Sequence, residues 1–209
     1  MNRFQSILGQ DQAIAFLQQA IAQERIAPAY LLVGPEGVGK SLAAKAFGET
    51  LLMGLGTTTD RQERFFAGNH PDLLKIEPTF QHQGKLLTAS EADQAGLKRR
   101  AAPLIRVEQI REINRFLSRP PLEAQRAVIL IEEAQAMNEG AANALLKTLE
   151  EPGRATLILL APSVDALLPT IVSRCQRIPF YRLGEEDMAN IVQRLGRQEI
   201  LHHPELLAI

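Results

Sequence analysis

Five stretches of apolar and β-branched residues recur along the chain and predict the strands of a sheet. Residues 29–33, 127–131 and 156–160 are almost wholly apolar. Continuous runs of this kind are typical of strands that are buried on both faces. Residues 72–77 and 177–181 are less apolar and predict two further strands, of which the second is the weaker.

Between these stretches the apolar positions recur at helical spacing. Ile14, Leu17 and Ile21 form a stripe that predicts an amphipathic helix over residues 10–23. The same reasoning predicts further helices over residues 42–47, 107–117 and 139–150. Because strands alternate with helices, we expect an α/β fold with a parallel sheet covered on both faces. Ligands of such folds bind at the carboxyl ends of the strands.

Turn and cap residues mark where several of these elements end. Asn138 is a good N-cap for the helix that starts at Glu139, and Pro120 ends the helix over 107–117. Residues 55–60 predict a loop, and residues 79–104 are polar enough to predict an irregular insertion or a mobile loop. We interpret the basic triplet within that insertion, Lys98-Arg99-Arg100, as a solvated surface run rather than a DNA contact.

The end of the chain predicts a second, smaller unit. Leu183-Gly184 resembles a boundary, so that residues 1–182 form one domain and residues 183–209 the start of a small helical lid. Met188, Ile191, Val192 and Leu195 mark one lid helix, and a second starts at Pro204. These helices are too few to bury much apolar surface alone, so we expect further chain to follow Ile209.

Composition and charge exclude several kinds of site and indicate the cellular location of the protein. The 209 residues carry a net charge of −1, so no global basic field indicates nucleic acid. The single cysteine, Cys175, excludes an internal disulfide and a cysteine-rich zinc site, and the four histidines lack metal-binding spacing. The N-terminus has no apolar signal core, and no run reaches the ~20 apolar residues of a membrane span. We therefore expect a cytoplasmic protein with no membrane contact and no zinc.

The turn after the first predicted strand carries the clearest chemistry. Residues 34–41 fit the phosphate-loop pattern G-x-x-x-x-G-K-[ST] at every fixed position. Its glycines let consecutive backbone N–H groups converge on one anion, and the following helix adds its positive end. Lys40 would neutralise terminal phosphates, and the Ser41 hydroxyl would be a magnesium ligand. An ordinary glycine-rich turn does not require Lys-Ser at this spacing, so we predict nucleotide binding. The predicted binding loop consists of Gly34, Pro35, Glu36, Gly37, Val38, Gly39, Lys40 and Ser41.

Two acidic residues, Glu132 and Glu133, follow the third predicted strand. In phosphate-loop ATPases the first acid there orders the magnesium ion and the second polarises the attacking water. The first acid is usually aspartate, and magnesium tolerates little distortion of its octahedral geometry. We predict magnesium binding through Glu132 and a catalytic role for Glu133, with hydrolysis weakened by the longer side chain. Two exposed carboxylates without a ligand are the alternative.

Arg174 is the last candidate, in the segment Ser173-Arg174-Cys175. A lone arginine is normally a surface residue. The functional alternative is an arginine finger that acts in trans on the γ-phosphate of a neighbouring subunit, a device that raises rates by roughly 10³–10⁵. Three residues alone do not decide between these two interpretations.

Four motifs together resemble those of a known family. They are residues 7–10 with 25–26 and 29–31, the loop 34–41, the long segment 141–152, and residues 173–175. With these motifs the chain resembles the clamp-loader branch of the AAA+ ATPases, and within it the delta-prime family of bacterial DNA polymerase III subunits. The resemblance covers nearly the whole chain, and segment 141–152 is specific to clamp loaders.

The resemblance implies a fold and a set of roles. The fold would be an AAA+ phosphate-loop three-layer domain with a five-stranded parallel sheet, followed by a helical lid. Ile7 and Leu8 would flank the adenine of ATP, which would be bound with Mg²⁺, and Arg174 would be the finger. The partners would be the tau/gamma and delta subunits of a hetero-oligomer that loads the sliding clamp onto primed DNA.

Some features depart from the family pattern. The zinc module that clamp-loader subunits often carry after the phosphate-loop helix has no cysteines here, between about Leu52 and His70. The fourth strand ends in Ala161-Pro162-Ser163, which lacks a clear polar sensor residue. These departures and Glu132 favour a delta-prime-like ATP binder over a tau/gamma-type motor. A nucleotide-inert scaffold is a third interpretation, and the intact Gly39, Lys40 and Ser41 count against it.

Overall fold

The computed structural model describes residues 3–53, 69–97 and 101–194. Its centre is a sheet of five strands that are all parallel to one another. In spatial order the sheet contains β2 (Leu73–Ile76), β5 (Ala127–Ile131), β6 (Ala155–Ala161), β1 (Ala29–Val33) and β7 (Gln176–Pro179). All five predicted strands are thus confirmed.

The three apolar runs occupy the middle of this sheet. Every residue of β1, β5 and β6 is buried, as the lack of alternating polar positions predicts. The two less apolar strands, β2 and β7, lie at the edges and are only partly buried. The apolar content of each run therefore follows the place of its strand in the sheet.

Helices cover both faces of the sheet. The described helices are α1 (Asp11–Ala22), α2 (Lys40–Met53), α3 (Ala89–Gln94), α4 (Val107–Leu117), α5 (Glu139–Glu150), α6 (Pro169–Val172) and α7 (Glu185–Arg194). Residues of α1 and α2 pack in the apolar cluster on one face, and residues of α4, α5 and α6 pack in the cluster on the other. Because successive strand residues point to opposite faces, Leu32 belongs to one apolar cluster with Leu17 and Phe47. Leu31 belongs to the other cluster, which includes residues of α4 and α5. The predicted three-layer α/β architecture is confirmed.

The predicted helix ends also match the structure closely. The Asn138 side chain accepts a hydrogen bond from the backbone N–H of Ala141 at 2.8 Å, so Asn138 caps α5 as predicted. Helix α4 ends at Leu117, before Pro120. Helix α2 is the exception, because it spans Lys40–Met53 and is longer at both ends than the predicted residues 42–47.

The prediction of an irregular or mobile segment over residues 79–104 is wrong for its described part. A short antiparallel hairpin is formed by β3 (Phe80–His82) and β4 (Lys85–Leu87), and α3 follows it. Gln83 and Gly84 both have positive φ, as a tight two-residue hairpin turn requires. Thr88 and Glu91 form a capping box at the start of α3. Each strand has only three residues, which are too few to show the apolar alternation that would have predicted it.

Several predictions lie outside the described residues. These are the loop over 55–60, most of the segment compared with the zinc module, the Lys98–Arg100 triplet, Leu195 and the helix from Pro204. Helix α7 is formed where the lid was predicted to start. No helix in the described ranges is both long and apolar enough to cross a bilayer.

Candidate nucleotide-binding site

The phosphate loop joins the carboxyl end of β1 to the start of α2. At its first residue, Gly34, the backbone just after β7 comes so near that an added Cβ would lie 2.3 Å from the Phe180 carbonyl oxygen. Gly37 and Gly39 have φ values of 77° and 99°, which L side chains rarely adopt. The close approach of the Phe180 backbone therefore requires glycine at position 34, and the positive φ angles of the loop favour glycine at positions 37 and 39.

The side chain of Lys40 folds back over this loop. Its Nζ donates to the Gly34 carbonyl at 2.5 Å and also to the Pro35 carbonyl. Burial lowers the pKa of Lys40, and the nearby Glu36 carboxylate partly opposes that shift. The ammonium group thus lies against the loop, where two backbone carbonyls accept its hydrogen bonds.

A cleft of about 610 Å³ opens beside the loop. It lies at the carboxyl ends of the central strands, where ligands of open parallel sheets bind. Loop residues with Ser41 and Leu42 form one wall, and residues that follow β5 or end β6 form the other. The lining comprises Glu36, Gly37, Gly39, Lys40, Ser41, Leu42, Glu132, Glu133, Gln135, Leu160, Ala161 and Pro162. The structure therefore brings the predicted loop and the predicted acidic pair together.

The two glutamates have different surroundings. Glu133 is exposed and has left-handed backbone angles, φ 49° and ψ 53°, a conformation that is uncommon outside glycine and frequent at functional sites. Glu132 is more buried, and its Oε1 lies 3.6 Å from Nζ of Lys75 on the neighbouring strand β2. Lys75 also donates to Glu77. Burial alone would lower the pKa of Lys75, but these two carboxylates outweigh it and raise the pKa.

The N-terminal segment packs on the back of the loop. Ile7 is buried, and its Cγ2 would lie 3.4 Å from a Cβ at Gly39. Leu8 is half-buried and does not line the cleft. Gln10 is buried, donates to the Tyr181 carbonyl at 2.7 Å and accepts from its N–H at 3.1 Å. This pairing ties the segment to the chain after β7, and nothing in the local sequence pattern indicated it.

Arg174 is not among the residues that line the cleft. It follows α6 and has an exposed side-chain fraction of 35%. Its guanidinium donates to Glu150 Oε1 at 2.6 and 3.1 Å and to the Thr170 carbonyl at 2.9 Å. The adjacent Cys175 is mostly shielded, and burial raises the pKa of its thiol to about 12. Arg174 is thus presented on the surface, held by a partner on α5.

Sequence reasoning also missed Gln135 and Lys75. Gln135 lines the cleft beside the acidic pair, and its buried Oε1 has no hydrogen-bond partner among the described residues. No polar side chain from the last residues of β6 lines the cleft, because Ala161 and Pro162 occupy that place. A glutamine two residues after an acidic pair is the only local signal for Gln135, and Lys75 is identifiable only through strand pairing.

The fold and the phosphate loop together define a phosphate-loop protein of the AAA+ class. A DNA polymerase III gamma-subunit-related protein from Thermotoga maritima has a similar structure, with a TM-score of 0.58 at 21% identity. The alignment covers 93% of this chain and 57% of that one. A family profile described as "DNA polymerase III, delta subunit" matches residues 9–184, and the chain belongs to that family.

Curated relatives agree with this family. The DNA polymerase III subunit delta′ of Pseudomonas aeruginosa is 38% identical over 156 residues, which are 71% of this chain and 42% of the relative. Subunit tau of Bacillus subtilis is 29% identical over 210 residues, 97% of this chain and 33% of the relative. The chain thus spans less than half the length of each of these two relatives.

Proposed function

We propose that this chain is the nucleotide-binding part of a delta-prime-like clamp-loader subunit. The observation that carries the proposal is the intact phosphate loop opening onto a cleft that also contains Glu132 and Glu133. The 38% identity to the subunit delta′ of Pseudomonas aeruginosa, over 71% of this chain, supports the delta-prime type. The subunit would assemble with tau/gamma and delta subunits and help place the sliding clamp on primed DNA.

The residues of the cleft fit a magnesium-bound ATP. Backbone N–H groups of residues 34–41 and the Lys40 ammonium would hold the phosphates, while Ile7 and Leu8 would flank the adenine. Ser41 and Glu132 both line the cleft and offer oxygen ligands, which magnesium prefers. The bound ion would neutralise charge on the phosphates. Glu133, exposed at the cleft, would orient a water molecule.

A tau/gamma-type motor is the second candidate, since a tau subunit aligns with 97% of this chain. The apolar end of β6 counts against it, because a motor needs polar groups that contact the γ-phosphate. A nucleotide-inert scaffold is the third candidate. The domain division at residue 183 belongs to the proposal too, with α7 as the first lid helix.

Calorimetric titration with ATP and magnesium tests the proposal. We expect the wild type to bind ATP and Lys40→Ala to bind it roughly 10–100-fold more weakly, because hydrogen bonds to charged phosphates are lost. Lys45→Ala, an exposed lysine on the same helix, is the matched control and should bind as the wild type does. If the wild type does not bind ATP, the nucleotide-inert scaffold is the remaining candidate. Rapid hydrolysis of ATP by the chain alone would favour the tau/gamma-type motor.

A further inference from the structure

Lys75 makes a contact between strands that the proposed function does not use. It lies on edge strand β2, and Glu132 follows the adjacent strand β5. The Glu132 N–H donates to the Ile76 carbonyl at 2.9 Å, which fixes the two strand ends side by side. The Lys75 ammonium then lies 3.6 Å from Glu132 Oε1 and is bonded to Glu77 as well. One cation is therefore shared between two carboxylates.

The geometry places Lys75 and the cleft on different sides of Glu132. Ser41 and Glu132 line the cleft, whereas Lys75 does not. Strand β2 lies beyond β5 from the phosphate loop, which follows β1. Lys75 therefore attracts the Glu132 carboxylate toward β2 and away from the side of the cleft that Ser41 lines. The Lys75 and Glu132 side chains are 39% and 22% exposed, so this attraction is screened only in part.

We propose that Lys75 is a positioning residue that holds Glu132 toward β2, so that magnesium competes with the lysine ammonium for this carboxylate. The proposal rests on the proposed function, because it concerns the same nucleotide site. Magnesium demands short, near-octahedral oxygen contacts, and a carboxylate tethered on its far side satisfies them less readily. The consequence is that magnesium strengthens ATP binding less than it would in the absence of Lys75.

The test compares ATP dissociation constants measured by calorimetry in magnesium and in EDTA. The ratio of the two constants reports how much magnesium strengthens binding. We expect Lys75→Gln to increase this ratio about threefold to fivefold, as the loss of a partly exposed ion pair implies. Lys75→Arg should keep the wild-type ratio, and Lys85→Gln, an exposed lysine on β4, is the matched control. Thermal melting verifies that each variant is folded.

A double-variant cycle makes the test specific to this pair. In a Glu132→Gln background, Lys75→Gln should leave the ratio unchanged, because the shared carboxylate is gone. If the wild type and Lys75→Gln both bind ATP and give equal ratios, the positioning role of Lys75 is overturned and the proposed function is not. A change that persists in the Glu132→Gln background would overturn it as well. Absence of ATP binding by the wild type would overturn both this proposal and the proposed function.

Discussion

Asp72 is the residue whose loss should damage the fold most directly. It is 2% exposed, and its carboxylate accepts backbone hydrogen bonds from Leu122, Glu123 and Ala124 at 2.6, 2.8 and 2.7 Å. We expect Asp72→Ala to lower the free energy of unfolding by roughly 2–4 kcal/mol, because three backbone N–H groups lose their charged acceptor. Urea denaturation measures the change.

Two further variants make the Asp72 experiment decisive. Asp72→Asn retains one oxygen of the two and should fall between the wild type and Asp72→Ala. Asp165→Ala, at an exposed position, should change stability by less than about 0.5 kcal/mol. Similar losses for Asp165→Ala and Asp72→Ala would contradict the role of these three bonds.

At the level of elements, the junction of β1 with β7 depends on Gly34. A Cβ there would lie 2.3 Å from the Phe180 carbonyl oxygen and 2.8 Å from the Phe180 Cβ, so the backbone has to move. We expect Gly34→Ala to destabilise the protein by about 1–3 kcal/mol and to weaken ATP binding, because the loop begins at this contact.

Gly140→Ala is the matched comparison for Gly34→Ala. Gly140 lies in α5, where an added Cβ would come no nearer than 3.7 Å to the Asn138 side-chain oxygen. Here the substitution should stabilise by about 0.4–1 kcal/mol, since alanine fits this position and reduces the entropy of the unfolded chain. Thermal melting of both variants should therefore give shifts of opposite sign, and shifts of the same sign would contradict the packing argument.

The strands, the phosphate loop and the contacts between elements differ in how far they could be predicted from the sequence. The runs over 29–33, 127–131 and 156–160 predicted central strands, because burial on both faces leaves no polar position in the pattern. The phosphate loop was predictable because its chemistry lies in consecutive residues. The contact of Gln10 with Tyr181 was not, since 171 positions separate the two residues. The pairing of Lys75 with Glu132 depends on strand order, which local patterns do not encode.

For the whole molecule, we propose that Arg174 acts as an arginine finger on a neighbouring subunit. In this chain its guanidinium is bonded to Glu150, whose side chain is 53% exposed. Pairs as exposed as this contribute roughly 0.2–1 kcal/mol. An arginine finger in trans raises the rate by roughly 10³–10⁵, which corresponds to several kcal/mol. The free energy needed to release Arg174 from Glu150 is therefore small compared with the stabilisation that a neighbour's phosphates would provide.

The turnover of ATP by a reconstituted clamp loader should accordingly depend on Arg174 and hardly on Glu150. With the full-length subunit in the complex, we expect Arg174→Ala to reduce steady-state turnover at the adjacent site by roughly 10³-fold. Glu150→Gln should change it by less than about fivefold, because only the exposed pair is lost. Arg182→Ala removes another exposed arginine and should leave the turnover of ATP unchanged.

ATP binding to the subunit's own cleft should survive Arg174→Ala, since Arg174 does not line that cleft. Full turnover by the Arg174→Ala complex would show that this arginine is a surface residue paired with Glu150 and nothing more.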